Sequence, residues 1–327
     1  YPSRQGDLFV QRDPLMIEFG LIVARFLHYL ATTALAGISL FPLYAYAGAE
    51  PDVLGRWRQR WLFWTAVAVL FSGLCWFAFA AANMSGSMTD LVDAETTWAV
   101  VHDTDFGTVW TLRMLLAVLT VGVAAWGLRS KVAAHHQNWM TPLMAAILLA
   151  SLAGTGHAQI EEGWVGVMHV VADAVHLLAA GAWLGGLIPL ALILHRYLGT
   201  DLNVGPKDMD RILMRFSGMG YLAVAALIGS GLVNGWFLVG SLSGLLNTPY
   251  GQILLGKLAL FGGMLALAVA NRFWLVPSMG RIRTEAIDGL TRSSARLRNH
   301  VLGEQFLGCT VLLAVSILGT MQPAVGS

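Results

Sequence analysis

The sequence predicts an all-α, polytopic membrane protein: eight transmembrane helices forming two parallel four-helix repeats, with both termini on the periplasmic side. Three observations predict it. Of 327 residues, 56% are hydrophobic and 12% charged, with a mean hydropathy of +0.64; a soluble domain carries about 25% charged residues. Apolar runs recur at about the 20 residues that a helix needs to cross a bilayer. The connections between those runs alternate between basic and acidic. Lipid offers the backbone no hydrogen-bond partners, so helices are the form such runs must take.

The elements follow in order. Residues 1–15 are polar and are set aside as a remnant ahead of a native Met16, or a short outward tail. No cleavable signal peptide is evident. Spans are expected at 17–47, 62–83, 106–128, 141–158, 165–195, 211–240, 251–276 and 300–321. One set of connections holds Arg56, Arg58 and Arg60, then Arg129 and Lys131, then Arg196, Lys207, Arg211 and Arg215, then the basic stretch 272–298. The alternate connections, 84–105, 159–164 and 241–250, contain no Lys or Arg; Asp90, Asp93, Glu95, Asp103, Asp105, Glu161 and Glu162 stand there. Basic loops stay in the cytoplasm, which places the acidic loops and both termini outside. His102, His157 and His169 then fall near the outer face, His28 and His176 near mid-membrane, and His135, His136, His195 and His300 near the inner face. Cys75 and Cys309 lie inside apolar runs and read as small core residues.

The halves resemble each other, which divides the chain into a repeat at 16–158 and another at 159–327. Ser72-Gly73-Leu74 and Ser85-Gly86 align with Ser230-Gly231-Leu232 and Ser243-Gly244. Arg25, His28 and Gly37 align with Asp173, His176 and Gly185, and Phe106-Gly107, Arg113 and Leu116 with Tyr250-Gly251, Lys257 and Leu260. Four spans per half keep both halves in one orientation, the parallel kind of repeat with its pseudo-two-fold axis along the membrane normal.

Ionisable groups at membrane depth are costly and face the bundle interior or a cavity. His169, Asp173 and His176 stand at i, i+4 and i+7, one stripe of a helix; His169 and His176 are about 10 Å apart along the axis, too far to share one ion. His157 closes the fourth span at the same outer mouth as His169, with Met168 beside them. Met84 and Met88 share a face if the start of the 84–105 loop is helical. Imidazole with thioether suits Cu(I), and imidazole alone also suits Cu(II) or zinc. An acidic rim draws cations. The bland readings stand beside these. Membrane histidines hydrogen-bond neighbouring helices, and methionines are core filler. His102 is a solvated loop residue. Asp173 orients a histidine or is neutralised by Arg25. Arg113 and Lys257 pair with helix-end carbonyls or snorkel, or contact an anion or quinone. Gly86, Gly107, Gly181, Gly185 and Gly186 read as close helix packing. No phosphate loop and no HExxH zinc motif is present, and nucleic-acid binding does not fit a lipid-facing architecture.

Arg25-Phe26-Leu27-His28, Gly156-His157-Ala158, His176-Leu177-Leu178 and Trp183-Leu184-Gly185-Gly186-Leu187 together carry a resemblance. Thr248-Pro249-Tyr250-Gly251, followed by Leu255, Lys257, Leu260 and Asn271-Arg272, is its strongest part. Over 16–321 the chain resembles CopD, the copper-resistance D family of bacterial inner-membrane proteins. The resemblance implies copper transport from periplasm to cytoplasm, not enzymatic activity, alongside a periplasmic copper-binding partner of the CopC type. The outward segments are too short for a fused domain of that kind. On this reading His157, His169, Met84, Met88 and Met168 capture copper, Cu(I) favoured over Cu(II), and His176 and His28 pass it inward with Asp173 nearby. The competing expectation is a b-type haem cytochrome or quinone-linked electron carrier with His28 and His176 as axial ligands, since haem takes ligands from facing helices at matched depth.

Overall fold

A computed structural model of the chain describes residues 12–46, 50–129, 131–155, 163–198, 205–277 and 287–326. Among them there is no strand. In chain order the helices are α1 (Arg12–Ala45), α2 (Asp52–Ser85), α3 (Ala94–Asp103), α4 (Asp105–Arg129) and α5 (Lys131–Ala150, extended by a 3-10 turn Ser151–Thr155). Then come α6 (Gly163–Ala180), continued through a π-helical segment Gly181–Gly185 into α7 (Leu187–Leu198), and α8 (Pro206–Val239). The chain ends with α9 (Leu242–Asn247), α10 (Pro249–Ala270, continued by a second π segment Asn271–Leu275) and α11 (Ile287–Leu318).

Seven helices among the described residues have the length and apolar composition to cross a membrane: Pro14–Ala45, Asp52–Ser85, Asp105–Arg129, Gly163–Tyr197, Lys207–Val239, Pro249–Leu275 and Ser294–Leu318. The fourth expected span differs. Expected at 141–158, it is the shorter apolar helix Trp139–Thr155, and 156–158 lie outside the described residues.

α1 runs through the middle. Leu35, Ala36 and Ile38 on it are fully buried, and it packs against α2, α5, α7, α8, α11 and the first π segment. Lipid tails are as apolar as leucine, so burying leucine adds little here. Close packing of small residues decides helix association instead. The tightest crossing follows that rule. A Cβ on Gly37 would sit 2.0 Å from the Gly185 carbonyl carbon, and one on Gly185 would sit 2.2 Å from the Thr33 oxygen and 2.8 Å from Gly37 Cα. Gly107 behaves likewise: a Cβ there would meet the Val100 carbonyl at 2.1 Å, and at Gly251 the Leu245 carbonyl at 2.3 Å.

Gly86 is different from the packing glycine expected. Nothing lies within 4 Å of its missing Cβ, and its φ of +79° stops α2 in the left-handed conformation that favours glycine. Met84 therefore ends one helix and Met88 begins a separate 3-10 turn, Met88–Leu91, so no common helical face joins them. Cys75 and Cys309 are free and half-buried, with no disulfide.

Two short helices, α3 and α9, each lead into a long one through a threonine cap. Thr104 Oγ1 accepts from the Gly107 amide at 2.9 Å, and Thr248 Oγ1 accepts from the Gly251 amide at 3.0 Å. Each hydroxyl also donates back, at 2.6 Å, to Val100 and to Gly244. Asp93 caps α3, and the hydrogen bonds it accepts from Thr96 hold its carboxyl below the usual range. Thr248→Val is expected to cost about 1 kcal/mol by removing the cap of α10, read as a lower thermal midpoint, with Thr248→Ser close to wild type. Equal midpoints for the valine variant and wild type would show that the cap contributes nothing.

Two histidine clusters inside the helix bundle

α1 holds His28 completely out of solvent. Its Nδ1 lies 3.1 Å from Ser72 Oγ on α2, and its Nε2 lies 2.9 Å from Arg113 Nη2 on α4. Ser72 donates its own hydroxyl proton to the Ala68 carbonyl at 2.6 Å, so towards the ring it can only accept. The imidazole is therefore protonated at Nδ1, and its Nε2 lone pair accepts from the guanidinium. Arg113, itself 2% exposed, also donates to the Leu148 carbonyl at 2.8 Å and to the Ser151 hydroxyl. Trp76 and Trp110 wall the ring, with centroids 5.4 and 5.7 Å away. Both nitrogens of His28 are engaged. The lone pair that copper or haem iron would need is already given to Arg113, against the expectation that His28 is a ligand.

The same motif recurs on α6 with a different ending. His176 Nδ1 lies 3.0 Å from Ser230 Oγ on α8, and Ser230 donates to the Ala226 carbonyl at 2.6 Å. The tautomer is the same, so Nε2 again carries the lone pair. Among the described residues nothing hydrogen-bonds that Nε2. Lys257 of α10, which aligns with Arg113, is near enough for its charge to bear on the ring. Asp173, three residues before His176, accepts from Asn234 Nδ2 at 3.1 Å and shares its field with Lys257 and Tyr250. One turn further towards the start of α6, His169 is buried and stacks on Phe237 with centroids 4.7 Å apart and planes 17° apart.

Side-chain volume explains why the two clusters end differently. Between α2 and α4 the space is filled by rings: Trp76–Trp110 at 4.9 Å, Phe106–Trp110 at 5.4 Å and Phe77–Phe106 at 6.3 Å. The aligned positions of the second half hold Asn234, Leu254, Tyr250 and Gly235. α2 and α4 pack against each other through these rings, whereas among the described residues α8 and α10 make little direct contact. Nothing lies within 4 Å of the Cβ position of Gly235. Rings fill the first cluster, and of the aligned positions in the second only Tyr250 carries one.

The remaining expectations are distributed unevenly. His157 lies outside the described residues. Met84 and Met168 are about half exposed, at 54% and 46%, and Met88 is partly buried on its separate turn. Among the described residues no three of His, Cys, Asp and Glu gather closely enough to hold a metal ion. Arg25 does not neutralise Asp173. It donates to the Gly319 carbonyl at 2.9 Å and to the Tyr29 hydroxyl at 3.2 Å, and stacks 5.0 Å from the Trp76 ring. The bond between Arg113 and His28 was not foreseen, nor were Asn234 and the serines as partners. The signal was present: histidine, serine and basic residue recur together at the aligned positions of both halves.

Comparison with known proteins adds an independent line. A family model described as copper resistance protein D-like, N-terminal domain, matches residues 16–167, and one described as copper resistance protein D matches 210–318. The chain is 35% identical over 316 residues to copper resistance protein D of Pseudomonas syringae pv. tomato, covering 95% of this chain and 97% of the relative. It is 29% identical over 311 residues to inner membrane protein YebZ of Escherichia coli K12, covering 94% and 100%. Copper transport protein CutJ of Bacillus subtilis 168 is 30% identical over 256 residues, 77% of this chain but 46% of that longer protein. No solved structure matches.

Proposed function

The chain belongs to the copper resistance protein D family, and on that premise we propose that it is a multi-pass inner-membrane protein that carries copper towards the cytoplasm through its second half. Its relatives are named for copper resistance, copper transport and the inner membrane, and none for an enzymatic activity.

Copper is the cargo. His157, Met168 and His169 take it at the outer mouth, with Met84 and Met88 as further soft donors, and Asp173 and His176 receive it along α6. Cu(I) is favoured and Cu(II) is also compatible with imidazole donors. The observation that carries this reading is the state of His176. Its Nδ1–H is anchored on Ser230, which fixes the ring and leaves Nε2 as a free lone pair, the second-sphere arrangement typical of metal-binding histidines. Asp173 supplies a carboxylate one turn away on the same stripe. His28, pinned by Arg113, serves as the anchor of the first half. That engagement also tells against the haem reading, which needs both histidines as axial ligands.

We place Trp139–Thr155 as an eighth pass, both termini on the periplasmic side, and the halves as parallel repeats. Gly37 and Gly185 stand at the same offset as His28 and His176, and they touch each other. A contact between equivalent residues is what a pseudo-two-fold axis produces. A separate periplasmic donor of the CopC type fits the acidic outer loops. The sequence offers no nucleotide-binding motif, so a gradient or a partner relay drives the cycle.

The test is copper content of the detergent-purified protein after Cu(I) loading, for wild type and for His157→Ala/His169→Ala, with the visible spectrum taken on the same samples. Copper retained by wild type, lost by the double variant and without a Soret band is the expected result. Equal copper in both, or a haem spectrum, sinks the proposal.

A further inference from the structure

A second site lies in the same half but away from the histidines. α8, α11 and the two π segments enclose a cavity of about 140 Å³. Its walls include Leu213, Phe216, Val224, Leu265, Leu297 and Val301. Val224 precedes Ser230 by six residues and Leu265 follows Lys257 by eight, so the cavity starts about 10 Å along the helices from the level of His176. On its open side stand Tyr221, Val269 and Phe273, all exposed side chains of membrane-crossing helices. The opening therefore faces lipid.

The inner end is polar. Glu304 of α11 is 2% exposed; its Oε1 accepts from Asn271 Nδ2 at 2.6 Å, and the Trp183 indole is a second hydrogen-bonding neighbour. No ion pair involves Glu304 among the described residues. Asn271, itself 9% exposed, has its Oδ1 buried without a partner. Trp183 belongs to one π segment and Asn271 to the other, and π segments concentrate at functional sites. A buried carbonyl oxygen without a donor is costly and calls for a ligand that brings one.

We propose that this cavity binds the head ring of a quinol-class lipid. The size fits, since an apolar cavity of about 150 Å³ holds a benzene ring. The chemistry fits as well. A ring hydroxyl supplies the donor that Asn271 Oδ1 lacks and lies beside the Glu304 carboxyl, while the hydrocarbon tail leaves through the lipid-facing opening. An acyl chain fills the volume but brings no donor. A metal ion finds apolar walls and too few ligands.

The experiment uses copper-free protein in lipid nanodiscs, so it stands apart from the fate of the copper proposal. A short-chain benzoquinol and its dimethyl ether, which has the same ring without donors, are titrated in parallel. In wild type the quinol is expected to saturate and to bind at least about tenfold tighter than the ether, the worth of a hydrogen bond to a buried acceptor. Asn271→Leu should bring the two ligands level, Ala268→Phe should fill the cavity and abolish both, and His176→Ala should change neither. Quinol and ether binding equally to wild type would overturn the proposal and leave a cavity for any ring or acyl chain. So would uptake by wild type that never saturates and matches Ala268→Phe. The wild-type comparison alone decides, whatever the variants do to folding.

Discussion

Gly185→Leu is expected to yield almost no folded protein, and Gly185→Ala very little. The reason is backbone against backbone. A Cβ at Gly185 would lie 2.2 Å from the Thr33 carbonyl oxygen and 2.8 Å from Gly37 Cα, and neither atom can rotate away as a side-chain tip could. The only relief is to push α1 and the first π segment apart. That crossing is the centre of the molecule, where Leu35, Ala36 and Ile38 pack with no exposed surface. Overpacking a core commonly costs 1–3 kcal/mol when side chains can adjust; here they cannot, so we expect at least about 3 kcal/mol. Gly122→Ala and Gly229→Ala are the controls, since nothing lies within 4 Å of either Cβ, and both should keep wild-type yield. The measurement is the monodisperse fraction by size exclusion together with the thermal midpoint. A Gly185→Ala protein as stable as Gly122→Ala would mean that this crossing is not the close approach described.

Much of the architecture was legible in the sequence, because lipid enforces a simple rule: apolar runs become helices, and their number and order can be counted. Seven of the expected spans are long apolar helices, and the close packing at Gly107 and Gly185 followed from small residues alone. Gly86 was misread because a glycine at a helix stop and a glycine at a crossing look alike in sequence; only the positive φ separates them. The fourth span, expected at 141–158, is described only as far as Thr155, as the shorter apolar helix Trp139–Thr155. In the candidate site, the stripe of His169, Asp173 and His176 followed from helical periodicity. What periodicity could not supply was partners on other helices. Ser72, Arg113, Ser230 and Asn234 reach their histidines and aspartate from 44 to 85 residues away in sequence. The alignment of the halves contained that information, since each half repeats a histidine, a serine and a cation. It also hid the difference that matters. Equivalent positions suggested equivalent roles for His28 and His176, whereas Trp76, Phe77 and Trp110 against Asn234, Gly235 and Leu254 fill one site with rings and leave the other without them.

Two histidines in equivalent positions should therefore give opposite phenotypes. His176→Ala is expected to abolish copper movement into protein-containing vesicles with little change in thermal midpoint. Removing the ring strands only Ser230, whose proton stays on the Ala226 carbonyl. Ser230→Ala should retain transport but weaken copper binding by about 10–100-fold, the usual consequence of losing the group that orients a ligating imidazole. His28→Ala should do the reverse. It removes an acceptor of a guanidinium that is 2% exposed, and leaving a buried donor unsatisfied costs about 1–3 kcal/mol, more when the donor is charged. Leu148 and Ser151 still receive Arg113, which argues for the lower end of that range. What protein survives should carry copper at a near-normal rate per folded molecule. Arg113→Met together with His28→Leu should recover stability, because two apolar groups of matching size leave no charge unpaired. Vesicle flux normalised to folded protein, set beside thermal midpoints, separates the two roles. If His28→Ala stopped copper while keeping the wild-type midpoint, the lone pair now held by Arg113 would have to be released during transport. Copper would then pass through the first half, and the ring-filled cluster would be the working site.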